Sequence, residues 1–207
     1  MPKPRTVHDF GGFPQALHDV EYPALGSPDL AETIRLLLAS KGIEANLDHS
    51  EWGLDHGTWS VLTHLYLQAD IPVVQLSLDH YKSPREHYML AQQLSVLREK
   101  GILIVGSGNM VHNLRMLSHT GADVVYGHDW ALEASAKMQT LINKGDHRAL
   151  MEYRNQGKAF QLAIPTPEHY LPLIYILALQ KKTDGLNIFN DKTVEGSISM
   201  TSVALGI

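Results

Sequence analysis

A short apolar run that ends in a glycine-rich turn constrains the fold more than any other stretch of this chain. Residues 102–105 are Ile-Leu-Ile-Val, and residues 106–109 are Gly-Ser-Gly-Asn. The run predicts a short buried strand, and the turn residues tolerate tight or left-handed backbone. His112 and Asn113 follow, at the place beyond a strand's carboxyl end where ligands gather in open α/β sheets. The sequence therefore predicts an α/β fold with a site near His112.

The remaining periodicity predicts helices and strands in alternation. The expected helices cover residues 28–40, 59–65, 84–100, 130–143, 147–153 and 167–177, and the expected strands cover residues 43–47, 71–78, 102–105, 186–189 and 197–205. Strand, helix and strand between residues 71 and 105 form a βαβ unit, which favours parallel pairing. We expect one domain over residues 1–207, with a central, mostly parallel or mixed sheet flanked by helices.

Composition excludes several classes of function. The chain has no cysteine, which excludes disulfides, thiolate metal sites and cysteine nucleophiles and fits a reducing cytoplasm. Its 17 basic residues are scattered among 22 acidic ones, so nucleic acid is not an expected partner. The apolar runs are short and interrupted, so neither a membrane-spanning helix nor a signal peptide is expected. These features predict a soluble cytoplasmic protein.

The chain has twelve histidines, a residue type that ligates metals and titrates near neutral pH. His112 follows the predicted strand, His169 falls in the first turn of a predicted helix, and His8 and His56 lie in loops rich in glycine and aromatic residues. Such residues can share a metal or acid/base site, or can serve separately in packing and capping. Surface or capping roles are expected for His18, His49, His80, His87, His119, His128 and His147.

The glycine turn at residues 106–109 also allows a second interpretation, a small-molecule or phosphate-binding domain. Neither the dinucleotide fingerprint nor the P-loop pattern is present, and no cationic side chain accompanies the turn. Backbone donors alone would then hold the anion.

Five motifs together resemble a known family, in the family's order and approximate spacing. They are His8-Asp-Phe-Gly-Gly-Phe-Pro14, Trp52-Gly-Leu-Asp-His-Gly-Thr-Trp59, Gly106-Ser-Gly-Asn-Met-Val-His-Asn113, Pro165-Thr-Pro-Glu-His-Tyr-Leu-Pro172 and Gly196-Ser-Ile-Ser-Met200. The chain resembles the 4,5-DOPA extradiol dioxygenase group of the class III, LigB-type extradiol ring-cleavage dioxygenases. The resemblance implies a compact α/β domain with a non-haem metal, which is iron(II) in catalysis and often zinc as found bound.

The resemblance also implies roles for individual residues. His169 matches a metal ligand, and His112 matches a position that is either a further ligand or the active-site acid/base. His56 matches a catalytic residue facing the catechol, while His8 and Asn113 are expected beside the substrate. The implied partners are a catechol-type small molecule and O2, and the oligomeric state is left open.

One part of the family pattern is not found. Family members begin with a strand-rich segment that carries His-Gly-Ser-Pro and then Ser-Ala-His-Trp, and neither motif is in this sequence. We therefore expect a domain that is truncated at its N-terminus, lacks two metal ligands and exposes sheet edges. The alternative function is an inactive metal-binding or interaction remnant of the family.

Overall fold

A computed structural model describes residues 1–206 of the chain, which form two compact units, Met1–Ser77 and a second unit that begins at Leu78. Helices and small sheets are both present, so the predicted α/β class is confirmed. The boundaries of a single domain over residues 1–207 stay a prediction, and residue 207 lies outside the described part. No helix within residues 1–206 combines the length and the apolarity needed to cross a membrane.

The N-terminal unit contains three helices: α1 (Gln15–His18), α2 (Pro28–Ala39) and α3 (His56–Leu65). Helix α2 begins as predicted, because the Leu30 backbone N–H donates to the Ser27 hydroxyl at 3.3 Å and proline occupies the first turn. Helix α3 begins earlier than predicted. Asp55 caps it by accepting the Thr58 N–H at 3.1 Å, so the helix begins at His56 and the expected start at residue 59 is wrong.

The core of this unit surrounds one tryptophan. Trp59 is 2% exposed, and its indole N–H donates to the Val7 carbonyl at 2.9 Å. The other buried apolar residues of this cluster are Tyr22, Ala24, Leu54, Leu62 and Ala69.

The C-terminal unit holds the remaining helices. They are α4 (Pro84–Gln93), α5 (Asp129–Asn143), α6 (His147–Met151), α7 (Lys158–Ala163) and α8 (Leu171–Ala178), with 3₁₀ turns at Leu94–Lys100, Leu114–Met116 and Tyr153–Asn155. Ser83 and Glu86 form the capping box of α4, and Gly101 ends the following 3₁₀ turn with a φ of 72°. Helix α7 was not among the predicted helices, because its six residues are too few for a clear apolar period.

Helix α8 begins four residues later than the sequence indicates. Thr166, which precedes the expected helix, donates its hydroxyl to the Glu168 carboxylate at 2.6 Å and does not cap the helix. The Tyr170 and Leu171 N–H groups donate to the Pro167 carbonyl, so residues 167–170 form a turn before the helix. The expectation that His169 lies in the first helical turn is therefore wrong, since it precedes the helix.

The strands form two small antiparallel sheets. They are β1 (Leu186–Phe189), β2 (Thr193–Val194), β3 (Ile198–Ser199) and β4 (Ser202–Leu205), with β1 paired to β4 and β2 to β3. In the first sheet Leu186 faces Leu205, and in the second Val194 faces Ile198. The predicted strand over residues 197–205 is two strands in different sheets.

Residues 43–47, 71–78 and 102–105 are not strands, so the expected parallel pairing of the last two is not formed. Within residues 1–206, the backbone groups of residues 103–106 have no backbone hydrogen-bond partner. A strand requires a hydrogen-bonded neighbour, which an apolar run cannot supply by itself. Leu103 is accordingly 67% exposed and Val105 48% exposed. In the described part of the chain, parallel pairing is limited to isolated bridges, between Thr6 and Leu54 and between Gly127 and Gly196.

The core of the C-terminal unit packs α5, α7 and α8 around the segment that follows the glycine turn. Met110 and Val111 are 3% and 0% exposed, and they belong to one buried cluster with Met138, Phe160 and Ile174. The residues next to His112 are therefore anchored in the core.

Candidate active site

The glycine turn serves close backbone packing. A Cβ atom on Gly108 would lie 2.2 Å from the His169 carbonyl oxygen, and one on Gly106 would lie 2.7 Å from the Pro172 carbonyl oxygen. Neither glycine is among the residues with positive φ. The two glycines therefore let residues 106–109 lie directly against the turn that carries His169.

Two hydrogen bonds from Asn109 hold this approach in place. Its backbone N–H donates to the His169 carbonyl at 2.8 Å, and its side-chain amide donates to the Ser199 carbonyl at 2.7 Å. The Val111 N–H donates to the Ser199 hydroxyl at 3.0 Å. The segment before His112 is thus fixed on both sides, by the turn at His169 and by β3.

The consequence is contact between the imidazole rings of His112 and His169. Their centroids lie 3.6 Å apart and their planes differ by 15°, which is a face-to-face stack. The His112 N–H donates to the Ala163 carbonyl at 2.9 Å, and His112 forms an antiparallel bridge with Ile198. The structure therefore brings together the two histidines that the sequence analysis proposes as metal ligands.

Glu168 lies beside this pair and was not predicted as a site residue. Burial raises its pKa, but the Thr166 hydrogen bond and the electrostatic influence of His169 and His112 outweigh burial, so the pKa lies below its usual value. The Glu168 carboxylate is therefore ionised, and the two histidines act on it electrostatically. Its position immediately before His169 is the sequence signal that could have identified it.

Asn113 is held by its surroundings. It is 6% exposed, its side-chain amide donates to the Leu162 carbonyl at 2.8 Å, and its side-chain oxygen accepts the Arg115 N–H at 3.2 Å. Its backbone exchanges hydrogen bonds with Ser197. These bonds fix the backbone beside His112, and a contact between Asn113 and substrate stays a prediction.

The histidine pair has the right donor chemistry for a non-haem metal, but not a full ligand set. Imidazole suits iron and zinc, whereas a catalytic centre uses three protein ligands. Within residues 1–206, no three histidine, cysteine or carboxylate side chains are arranged to hold a metal ion. A metal binds in the plane of an imidazole at about 2.0–2.1 Å. Because the rings stack 3.6 Å apart, both cannot point at one ion in this arrangement.

The other two predicted histidines lie in the N-terminal unit, in a cluster of aromatic rings. His8 donates from Nε2 to the Val20 carbonyl at 2.9 Å, and its ring lies 5.5 Å from the ring of Trp59. The His56 ring meets Phe10 edge-on, with centroids 5.8 Å apart. The His56 Nδ1 atom lies 2.7 Å from the Asp9 carboxylate. Asp9 was not predicted as a site residue, although it directly follows His8 in the first motif.

One histidine expected at the surface is buried, and that prediction is wrong. His87 is 0% exposed, because it is enclosed by the contact between α4 and α8. Its Nδ1 accepts from the Tyr175 hydroxyl at 2.9 Å, and its Nε2 donates to the Asp79 carbonyl at 3.1 Å. Burial raises the pKa of Tyr175 to about 12, so this hydroxyl keeps its proton. His87 is a structural residue of the C-terminal unit.

Comparison with known proteins identifies the family. The family model described as the catalytic LigB subunit of aromatic ring-opening dioxygenases matches residues 2–206. The 4,5-DOPA dioxygenase extradiol of Escherichia coli K12 is 43% identical over all of this chain and 75% of its own length. The protein of that name from Beta vulgaris is 37% identical, over 81% of this chain and 62% of its own length.

A solved structure agrees with this assignment. The crystal structure of an uncharacterized protein from Escherichia coli K12 superposes with a TM-score of 0.76 and 35% identity, covering 97% of this chain and 80% of that protein. The resemblance found in the five motifs is thereby confirmed. This chain belongs to the LigB family of aromatic ring-opening dioxygenases and is, by family, an oxidoreductase of the 4,5-DOPA extradiol dioxygenase type.

Proposed function

We propose that this chain cleaves the ring of a catechol such as DOPA beside its two hydroxyl groups, with O2 as co-substrate at a non-haem metal. The observation that carries the proposal is the contact between His112 and His169, which places two imidazoles and the Glu168 carboxylate together. Iron(II) is the proposed catalytic metal, and zinc(II) is the alternative occupant. Such a metal, when bound, would orient the catechol and O2 and stabilise charge on their oxygens.

His169 and His112 have different proposed roles. His169 is the proposed ligand, supported by a main chain that Asn109 holds at 2.8 Å. His112 is either a second ligand or the group that takes and returns a catechol proton, and the ring stack is compatible with both roles if one ring rotates. His56 is the proposed catalytic residue on the catechol, with His8 and Asn113 nearby. We also propose a cytoplasmic location, because a reducing compartment suits a chain without cysteine.

The test combines metal content with product analysis. The purified 207-residue chain is loaded with iron(II) or zinc(II) under anaerobic conditions, desalted, and analysed for metal per chain. The iron-loaded protein is then mixed with DOPA under ¹⁸O₂, and the mass of the product is measured by mass spectrometry. We expect near one metal per chain and a product that carries both atoms of one O2 molecule.

Matched variants assign the roles. We expect His169→Ala to lower metal affinity by about 10–100-fold or more. His56→Ala should mainly slow turnover and leave the metal in place. His64→Ala, which changes an exposed histidine on α3, is the control and should change neither quantity. Equal loss of metal from the His56 and His169 variants would contradict this division.

The rival function is a remnant that binds metal weakly or a partner and does not cleave catechols. The observation in its favour is that the described residues bring together two imidazoles and no third ligand. A folded circular dichroism spectrum, together with no retained metal and no catechol cleavage, would establish this rival.

A further inference from the structure

A single parallel bridge in the N-terminal unit brings Asp9 beside His56. The Val7 N–H donates to the Leu54 carbonyl at 2.8 Å, and the Leu54 N–H donates to the Arg5 carbonyl at 2.9 Å. The bridge pairs Thr6 with Leu54, and the two segments leave it in the same direction, so the residues that follow stay close together. Asp9 lies three residues after Thr6, and His56 lies two residues after Leu54. The bridge therefore brings the segment that carries Asp9 alongside the segment that carries His56.

The Asp9 carboxylate holds His56 at two points. Its Oδ1 accepts a hydrogen bond from the His56 ring at Nδ1, over 2.7 Å, and another from the His56 backbone N–H, over 3.2 Å. Phe10 meets the ring edge-on at 87°. The His56 side chain still has 43% of its surface exposed, against 26% for Asp9. The ring is thus fixed at Nδ1, and part of the side chain is open to solvent.

A carboxylate accepts hydrogen bonds and has no proton to donate when ionised. The short contact therefore requires the proton of a neutral His56 to reside on Nδ1, which leaves the lone pair on Nε2. In neutral imidazole one nitrogen donates and the other accepts, and a carboxylate partner decides which. The Asp9–His56 pair can consequently accept a proton at Nε2 of the imidazole.

We propose that Asp9 is a positioning residue that sets the tautomer and the orientation of His56, so that Nε2 takes a proton from a hydroxyl of the catechol. The inference rests on the proposed function, since it assigns His56 to that substrate. In this step the catechol O–H bond breaks, an N–H bond forms at Nε2, and the electron pair stays on the catechol oxygen. Asp9 stabilises the resulting imidazolium and does not itself take the proton.

The simpler role for Asp9 is helix capping alone. His56 is the first residue of α3, and its N–H belongs to the group of helical donors that lack an intrahelical partner. An experiment must therefore weaken the hydrogen bond from the His56 ring to Asp9 and keep the hydrogen bond from the His56 backbone N–H. Asp9→Asn does this, because the amide oxygen can still accept the backbone N–H, whereas a neutral acceptor binds the ring N–H more weakly.

The first measurement is the tautomer of His56, determined from ¹H–¹⁵N correlations of the histidine ring nitrogens in the ¹⁵N-labelled chain at a pH where the ring is neutral. We expect the proton on Nδ1 in the unchanged chain and a mixture of both tautomers in Asp9→Asn. Asp48→Asn is the matched control, since Asp48 accepts only backbone N–H groups, from Ser50, Glu51 and Trp52. A proton on Nε2 in the unchanged chain, or no change in Asp9→Asn, would overturn the proposal.

The second measurement is turnover of DOPA by the iron-loaded chain. We expect Asp9→Asn to lower kcat by about 100-fold with little change in KM, and Asp48→Asn to leave both unchanged. An unchanged kcat in Asp9→Asn would overturn the positioning role while the proposed function stands. An unchanged chain that binds metal and does not cleave catechols would instead overturn the proposed function, and with it the proton transfer assigned to His56. The tautomer result separates these two failures.

Discussion

The two histidine groups of this protein are held by different means. His112 and His169 are positioned by main-chain hydrogen bonds, from His112 to Ala163 and from Asn109 to the His169 carbonyl, and their rings contact each other. His56 is positioned by side chains, the edge-on Phe10 ring and the Asp9 carboxylate, while His8 combines a hydrogen bond to the Val20 carbonyl with a ring contact to Trp59. The first group therefore depends on backbone packing, whereas the second depends on the identity of its neighbouring side chains.

The comparison also separates two kinds of chemistry. The stacked rings of His112 and His169 do not point at one ion, so one ring would have to rotate before both could bind the same metal. An imidazole bonded to a carboxylate has its tautomer fixed in advance. Under the proposed function, metal binding would rearrange the stacked pair in the C-terminal unit, whereas the Asp9–His56 hydrogen bond fixes its tautomer without any rearrangement.

The largest effect is expected where side chains do the positioning. Trp59→Ala removes a side chain that is 2% exposed, packs against His8 and donates to the Val7 carbonyl. A buried tryptophan of this kind contributes about 3–5 kcal/mol to the free energy of unfolding. Urea unfolding followed by circular dichroism should show this loss. Trp52→Ala is the control, because Trp52 is 44% exposed, and it should cost less than about 1 kcal/mol. Equal losses would contradict the assigned core.

A smaller but still large effect is expected where the backbone does the positioning. In Gly108→Ala the new methyl group would lie 2.2 Å from the His169 carbonyl oxygen, so the two segments must separate. Overpacking of this kind costs about 1–3 kcal/mol, and the ring-current shifts of His112 and His169 should change with it. Gly11→Ala is the control, since nothing lies within 4 Å of its new methyl group. Unchanged ring shifts in Gly108→Ala would show that the glycine does not set the stack.

Ser199→Ala should have an intermediate effect on stability, because it alters the backbone segment that precedes His112. The Ser199 hydroxyl accepts the Val111 N–H at 3.0 Å, and both residues are 0% exposed. Removing the hydroxyl leaves a buried N–H without that acceptor, which costs about 1–2 kcal/mol of unfolding free energy. Ser202→Ala, whose hydroxyl donates to the Met200 carbonyl at an exposed position, should cost less than about 0.5 kcal/mol. Similar losses in thermal or urea unfolding would refute the argument from burial.

The sequence predicted the elements whose signals are local. Helices α2 and α4 begin at Pro28 and Pro84 as expected, because the Ser27 and Ser83 caps act within one turn. The motifs also predicted His112 and His169 as members of one site, and the structure places the two rings in contact. Their roles as ligands or acid/base remain predictions.

The failures concern partners that are distant in the sequence. Residues 102–105 have the composition of a strand, yet strand formation requires a neighbouring chain that the segment cannot specify. Glu168 is a site candidate because it interacts with His112, which lies 56 positions away in the sequence. Asp9 is one because it contacts His56, which lies 47 positions away. His87 has polar neighbours in the sequence, and only the contact between α4 and α8 buries it.

The smallest effect expected is a dependence of the free energy of unfolding on pH. The responsible groups are His87 in the C-terminal unit and Asp9 in the N-terminal unit, and they act in different pH ranges. Burial lowers the pKa of His87 below 6.5, so the folded state favours its neutral form more than the unfolded state does. Its contribution is complete above about pH 6.5 and is lost as the pH falls from there toward the folded pKa. The slope is at most about 1.4 kcal/mol per pH unit for one such group. Asp79, Lys82, Glu86 and Tyr175 act on His87, and they do not reverse this direction.

Asp9 in the N-terminal unit should respond in a lower range. Burial raises its pKa, but the hydrogen bonds from the His56 ring and backbone outweigh burial, so the pKa lies below 3.8. The stability that depends on ionised Asp9 is therefore present above pH 3.8 and is lost as the pH falls through the folded pKa. Urea unfolding at half-unit steps of pH should show a weaker slope just below pH 6.5 in His87→Gln, and an unchanged slope there in Asp9→Asn. If Asp9→Asn instead weakened that upper slope, the assignment of this pH range to the buried histidine would be wrong, because the slope would then depend on the Asp9–His56 pair.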